Sequence, residues 1–496
     1  MKIKIYYGER TFYLKMLTLV CSGLFTGHIA YADSVYAPVI QEWDKRFNQY
    51  SDISRIETDQ LSDFNYNYDH QKIIYGENGH KTDLSAKNNL TINDAVLYAL
   101  QQHPQIAQVV AELASQHSYI DVAKASYYPQ LSGGLSTGDF TTGERGRQLI
   151  SLNATQMLYD FGKTSANVDI QQTKTYLKQT EMLSQIDTLA KTVTSSILMI
   201  KRYQELELIA RNQIQGIQRI YNIAQLRANA GISSQSDPIQ VKSYLEAAQS
   251  SLISQQTQLK LYQQRLNTVL GFDVSRIQWI IPDNLVKSVS LYDPVEYNTI
   301  PSMMSAQLEI DIARLQYEQT RLESYPVVNL KGSLSQAING RNPNNNKDDG
   351  LYSSVMMEAT SNFFQGGAIK AQQRASLAAE QAAISRLNTA YLNVLEQVRM
   401  NKEQIEHKNQ QLAVLFNRAK TTAKTKELYE EQYKLGTRTV VDLLNAEQSV
   451  HSVAQEIENA RYDIFESIVQ YIAVTGQSRQ LYQLNNKTIQ GIEIKP

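Results

Sequence analysis

The stretch Tyr433-Lys434-Leu435-Gly436-Thr437-Arg438-Thr439-Val440-Val441-Asp442-Leu443-Leu444 joins two long helical runs, and its reading decides the architecture. Gly436 supplies the positive φ at which a helix stops. Thr439 is a good N-cap for the helix that follows. An earlier copy reads Arg227-Ala228-Asn229-Ala230-Gly231-Ile232-Ser233-Ser234-Gln235-Ser236-Asp237-Pro238-Ile239, with Ser236 as its expected N-cap. In both copies an Asp stands six residues after the Gly. Each turn is therefore predicted to be the tip of a long antiparallel helical hairpin.

Working outward, the two tips belong to a larger repeat. Gly231 and Gly436 lie 205 residues apart, as do Gly271 and Gly476. Upstream, Leu158-Tyr159-Asp160-Phe161-Gly162 matches Phe363-Phe364-Gln365-Gly366-Gly367 at the same spacing. Tyr128-Pro129 matches Tyr325-Pro326 at 197, so the second copy gains eight residues between the Pro and the Gly. The period is far too long for a solenoid of small repeats. It implies a tandem duplication, with a first repeat over 90–271, a linker over 272–301 and a second repeat over 302–476. A tail, 477–496, follows.

The Gly-rich corners separate two kinds of periodicity. Between Pro129 and Gly162, Leu131, Gly133 and Leu135 alternate with polar neighbours, a period of two. The expected first hairpin covers 130–158, with a polar turn from Asp139 to Gly146 and a return strand from Leu149 to Leu158. The second covers 327–362. There Val328, Leu330 and Leu334 alternate with Asn329, Lys331, Ser333 and Ser335, and Val355, Met357 and Ala359 alternate with Met356, Glu358 and Thr360. Asn339 to Gly350 has the composition of a solvated loop tip. Strands of about ten residues cross a bilayer when tilted, and an apolar face opposite a polar one suits lipid outside and water inside. A half-buried hairpin of a soluble protein has the same pattern. Tyr159, Phe161, Phe363 and Phe364, at the ends of the return strands, suit a membrane–water interface or simple packing at a corner.

Beyond each corner the period becomes helical. Lys163 to Ala230 contains no Pro and one Gly, Gly216. Ala210, Ile214, Ile217, Tyr221, Ala224 and Ala228 alternate steps of four and three, as in a coiled-coil seam. A helix of that length measures about 100 Å, too long for a compact globule. Returning helices are expected over Ile239–Leu270 and Val440–Val474. Shorter helices before each hairpin, 105–127 and 302–324, would complete the layer. Thr91 is expected to cap a helix from Asn93 to Gln102, and Pro104 suits the first turn of the next.

Composition and the N-terminal region set bounds. Charge is nearly balanced, −1 over 496 residues, and no basic stripe suggests nucleic acid. Residues 1–32 read as a secretory signal: a basic leader (Lys2, Lys4, Arg10, Lys15), an apolar run from Met16 to Ile29, and Ala30-Tyr31-Ala32 at the cleavage site. Cys21, the only cysteine, lies within that leader. Residues 33–89 form a polar N-terminal extension outside the duplication. No stretch after the leader offers the ~18 consecutive apolar residues of a membrane helix. There is no HExxH, Cys cluster, GxSxG or phosphate loop, so neither catalysis nor a cofactor or metal is expected.

This arrangement resembles the TolC family of outer-membrane channel proteins over about residues 90–476. The sharpest motif is Tyr433-x-x-Gly436-Thr437-Arg438-Thr439-x-x-Asp442, followed by Asn459-Ala460-Arg461-Tyr462. The resemblance implies an α+β membrane protein and a homotrimer. Each chain would give four strands to a twelve-stranded β-barrel set in outer-membrane lipid. The barrel would continue into a periplasmic α-helical barrel with the Gly tips at its inner end. It implies a passive exit duct for type I secretion or drug efflux, opened by a periplasmic adaptor and an inner-membrane transporter, ABC or proton-driven. Carried over, Tyr433 and Arg438 would hold Asp237 and Ser236 to close the inner end. Asp442 would constrict the entrance, and its companion position falls on neutral Asn445, so three chains would make one carboxylate ring rather than two. The same residues also admit a plainer reading, with Asp442 in a capping box with Thr439 and Asp237 at a helix start where acids are favoured. A periplasmic coiled-coil adaptor without a pore is the competing function; it would carry a lipoyl-like β domain, which the sequence does not show.

Overall fold

The computed structural model describes residues 89–140, 144–281, 291, 293–339 and 350–494. The expected leader and the extension up to residue 88 lie outside them. All described residues belong to one compact unit, Ile56–Lys495. A short strand β1 (Asn89–Thr91) leads into α1 (Ile92–Gln102) and α2 (Pro104–Lys124). Thr91 caps α1 in a reciprocal capping box with Asp94. Then come β2 (Gln130–Phe140), β3 (Glu144–Tyr159), α3 (Lys163–Asn229) and α4 (Ser236–Leu270). The linker contributes β4 (Gln278–Ile280), which pairs in parallel with β1 and buries Trp279. The second repeat supplies α5 (Pro301–Leu322), β5 (Val327–Asn339), β6 (Gly350–Thr360), α6 (Ala368–Lys434) and α7 (Val440–Val474). The duplication is metrically faithful: α3 and α6 both have 67 residues, α4 and α7 both 35.

β2, β3, β5 and β6 form one antiparallel sheet in that order, leaving β2 and β6 as open edges. The pairing places the apolar positions on one face. Leu135 lies opposite Ile150, Leu152 opposite Leu334, and Leu330 opposite Met357. Ser333 and Ser354, on the other face, share a 2.7 Å hydrogen bond, and Lys331 pairs with Glu358 at 2.5 Å. Among the described residues nothing covers the apolar face: Leu135 and Val355 are each about three-quarters exposed. The half-buried soluble hairpin is thereby disfavoured, since its apolar face would be packed. The expected turn Asp139–Gly146 needs correction. The ladder runs on to Phe140 and resumes at Glu144, so the return strand starts five residues before Leu149. Backbone pairing requires no apolar side chain, so the strands continue past the point where alternation fades.

At the first corner Asp160 is buried and accepts amides of Gly162 (3.0 Å) and Thr164 (2.7 Å), standing in for a cap that Gly162 cannot supply. Lys163 Nζ donates to the Tyr325 carbonyl at 2.6 Å, fastening α3 to the end of the α5 segment. The helices form a layer whose hub is α3, packed on α2, α4, α5 and α7; α6 packs on α5 and α7. The C-terminal segment is folded as well. A short helix α8 (Ser478–Leu481) and the hairpin β7 (Lys487–Ile489) and β8 (Ile492–Ile494) dock beside α1 and α3. Asp187 of α3 is buried there; burial pushes its carboxyl up to about 7, against the charge of Arg479 and the Ser478 hydroxyl.

Candidate functional site

The two helical tips are built alike. In the first, Ile232 N–H donates to the Arg227 carbonyl (2.9 Å) and Gly231 N–H to that of Ala228 (3.1 Å). In the second, Thr437 N–H donates to Gln432 (3.0 Å) and Gly436 N–H to Tyr433 (3.0 Å). This six-to-one and five-to-two pattern is the Schellman closure, and it needs a left-handed residue at the Gly. Gly231 and Gly436 have φ of 71° and 80°.

The restart after each tip differs. Thr439 makes a full capping box: the Asp442 amide donates to its hydroxyl (3.2 Å), while Asp442 accepts from the Thr439 amide (3.3 Å) and hydroxyl (2.9 Å). Ser236 is not the N-cap of α4. It is the first helical residue; Gln235 holds the cap position without a side-chain bond, and Ser234 Oγ accepts the Ser236 amide at 3.2 Å. Pro238 has no amide to satisfy, so a helix can begin ahead of it without a capping hydroxyl.

Beneath the tips, α3, α4, α6 and α7 share one apolar cluster, including Ile217, Ala224, Val241, Tyr433, Val440 and Leu443. Tyr433 is 2% exposed. Burial raises its phenol pKa; the Arg227 charge opposes that and the Asp237 charge adds to it. Among the described residues the Tyr433 hydroxyl has no hydrogen-bond partner. Asp237 thus acts on Tyr433 through its field, not through a bond. Arg438 lies elsewhere: its Nε donates to Gln432 Oε1 (2.9 Å), its guanidinium sits 4.4 Å from the Tyr429 ring centroid, and Nη1 is 3.9 Å from Asp442. Ser236 Oγ is paired with Ser234 Oγ at 2.8 Å. Within one chain, among the described residues, Arg438 is not bonded to Asp237 or Ser236. Asp442 is half-buried in its capping box and Asn445 is exposed.

At the strand–helix corners, Phe363 (96%) and Phe364 (84%) are almost wholly exposed. Tyr159 and Phe161 are partly exposed and meet edge-to-face at 4.7 Å, and Phe161 stacks on Tyr325 at 5.4 Å.

Two features near the tips are not among the residues singled out in the sequence. Arg227, in the last turn of α3, places its guanidinium 5.0 Å from the Tyr433 ring centroid and donates from Nη1 to the Lys434 carbonyl at 3.2 Å. Further up, Glu447 of α7 is 1% exposed, bonded to Lys426 Nζ (2.5 Å) and His451 Nε2 (3.1 Å). Burial alone would raise its carboxyl pKa; the His451 bond and Lys426 outweigh burial and hold it below the ordinary value. Its carboxylate fits because the facing residue of α3 is Gly216, where a Cβ would collide with it. The signal was present: Gly216 is the one interruption in the Gly-free run.

The family described as outer membrane efflux protein matches residues 97–272 and 298–477, two segments that overlap the expected repeats. The outer membrane protein TolC of Escherichia coli (strain K12) is 20% identical over 442 residues, covering 83% of this chain and 89% of that protein. The alkaline protease secretion protein AprF of Pseudomonas aeruginosa is 22% identical over 414 residues, covering 75% and 82%. Among solved structures, the outer membrane protein VceC of Vibrio cholerae superimposes with a TM-score of 0.68 at 16% identity, over 78% of this chain and 96% of that one. With both repeats matched in order and the fold shared over nearly the whole of VceC, the chain belongs to the outer membrane efflux protein family, the TolC family of channels.

Proposed function

We propose that three copies of the chain form a passive exit duct through the outer membrane, with the long helices reaching into the periplasm. The observation that carries this is the four-stranded sheet: among the described residues its apolar face is uncovered and both its edges are unpaired. Unpaired edges at membrane depth are tolerated only when a barrel closes. Three such sheets would close edge to edge into twelve strands. The exposed corner aromatics Tyr159, Phe161, Phe363 and Phe364 then mark the periplasmic interface of the bilayer.

The tips would close the inner end. Tyr433 is the packed pivot, and Arg438, which lacks these partners in its own chain, would meet Asp237 and Ser236 of a neighbouring copy. Charge-assisted bonds of this kind are strong enough to hold a closed state and local enough to be broken by a docking partner. A periplasmic adaptor and an inner-membrane transporter would supply that docking and the energy. The cargo named for AprF, a secreted protease, supports type I protein secretion, with small-molecule efflux served by the same architecture. Asp442 would give one carboxylate ring at the entrance.

Purified protein tests this directly. A heat-resistant trimer in the membrane fraction, a small conductance in planar bilayers and a several-fold rise in Arg438→Ser are expected. Asn445→Asp should strengthen block by multivalent cations. A protein that stays soluble without detergent and never conducts would instead be the pore-less adaptor.

A further inference from the structure

We propose that Arg227 is the clasp that holds the second hairpin's tip against the first within each chain, so that its release is the intrachain step of opening; this rests on the tips being the gate. Arg227 stands in the last turn of α3, where the helix dipole favours a cation. Its side chain nevertheless crosses to the other hairpin. Nη1 donates to the carbonyl of Lys434, the last residue of α6, which belongs to the set of carbonyls a helix end leaves without an intrahelical partner. One guanidinium therefore answers the negative ends of two helices, α3 and α6. It also lies 5.0 Å from the centroid of the Tyr433 ring, within reach of a cation–π contact. Nη2 lies 3.6 Å from where a Cβ on Gly436 would stand, so the guanidinium reaches the tip residue itself.

Two further observations make the clasp releasable and one-sided. Arg227 has no carboxylate partner among the described residues, and its Nε is buried without a hydrogen bond. It is held by a ring and a carbonyl rather than by a bidentate ion pair, the stronger alternative. The position matching Arg227 in the second repeat is Gln432, which makes no such crossing and instead accepts from Arg438 of its own tip. The first hairpin thus holds the second, and not the reverse.

The clasp uses the ring of Tyr433 and not its hydroxyl, which has no partner among the described residues. That distinguishes it from a gate bond made by the phenol. The test is single-channel conductance of purified full-length protein, with the heat-resistant trimer as the check on folding. Arg227→Met and Tyr433→Leu should each raise conductance several-fold, the second by removing the ring that Arg227 faces. If Arg227→Met yields no trimer, Arg227→Lys decides, because it keeps the charge but loses the flat guanidinium; wild-type conductance in that variant overturns the clasp. Arg227→Met conducting like wild type while Arg438→Ser opens also overturns the clasp and leaves the gate standing. If the channel conducts and none of these variants changes it, the tips are not the gate. If no variant conducts, the duct reading falls and takes the clasp with it.

Discussion

At the scale of single residues, the most informative pair is Gly216 and Glu447. A fully buried carboxylate between three helices is costly unless paired, and here Lys426, His451 and the missing Cβ of Gly216 together accommodate it. Gly216→Ala should destabilise the inner half of the helices by about 1–3 kcal/mol through overpacking, read as faster amide exchange near the start of α7. The pairing also sets a pH dependence. The Glu447 carboxyl is held below its ordinary 4.5 in the folded chain, so it binds protons less readily folded than unfolded. Its stabilisation is present above that value and is lost as pH falls through the folded value. Wild type should lose protection around α7 in acid, while Glu447→Gln should show a flatter profile; the same acid sensitivity in both would reject the assignment.

At the scale of elements, duplication has copied backbone geometry more faithfully than side-chain chemistry. Both tips close with the same two hydrogen bonds around a left-handed Gly. At the corner, Phe161 has φ 58° and its counterpart Gly366 has φ 59°; the conformation is kept although only one of the two residues suits it. The caps, by contrast, have diverged, Thr439 with a box and Gln235 without. Equal geometry predicts equal cost: Gly231→Ala and Gly436→Ala should each destabilise their tip by about 1–2 kcal/mol. Unequal losses in thermal unfolding, with Gly436→Ala much the worse, would mean that the Arg227 contact rather than backbone conformation dominates there.

At the scale of the whole molecule, the sheet must find both a solvent for its apolar face and partners for its edges. In the proposed trimer, lipid and two further copies would supply these in one assembly. A lysine on the apolar face at the bilayer midplane costs about 2–4 kcal/mol, while one on the lumen face is tolerated. Val355→Lys should therefore lower the yield of membrane-inserted trimer, and Ser136→Lys, on the opposite face, should not. Equal yields from the two would place the sheet outside the bilayer. The lateral helices carry a related expectation. α6 leaves Leu392, Met400 and Val414 exposed, and α4 leaves Ile239 and Ile253, apolar positions that neighbouring copies would cover in the proposed trimer.

The periodicities and the 205-residue spacing of glycines were enough to place two helical hairpins and two β-hairpins, because local backbone demands leave direct marks on residue choice. Gly marks a left-handed turn, Pro a helix start, and alternation a two-faced strand. The identity of the capping threonines was legible for the same reason. What the chain order could not reveal was which of two helices of equal length is the hub. α3 is buried along most of its course and α6 on only one narrow stripe, a difference set by what packs on either side. Nor could it show that Tyr433 would turn its ring to Arg227 and leave its hydroxyl unpaired, or that Glu447 would lie against Gly216. Those contacts join positions more than two hundred residues apart in sequence, and only the packing of α7 on α3, with α6 beside α7, brings them together.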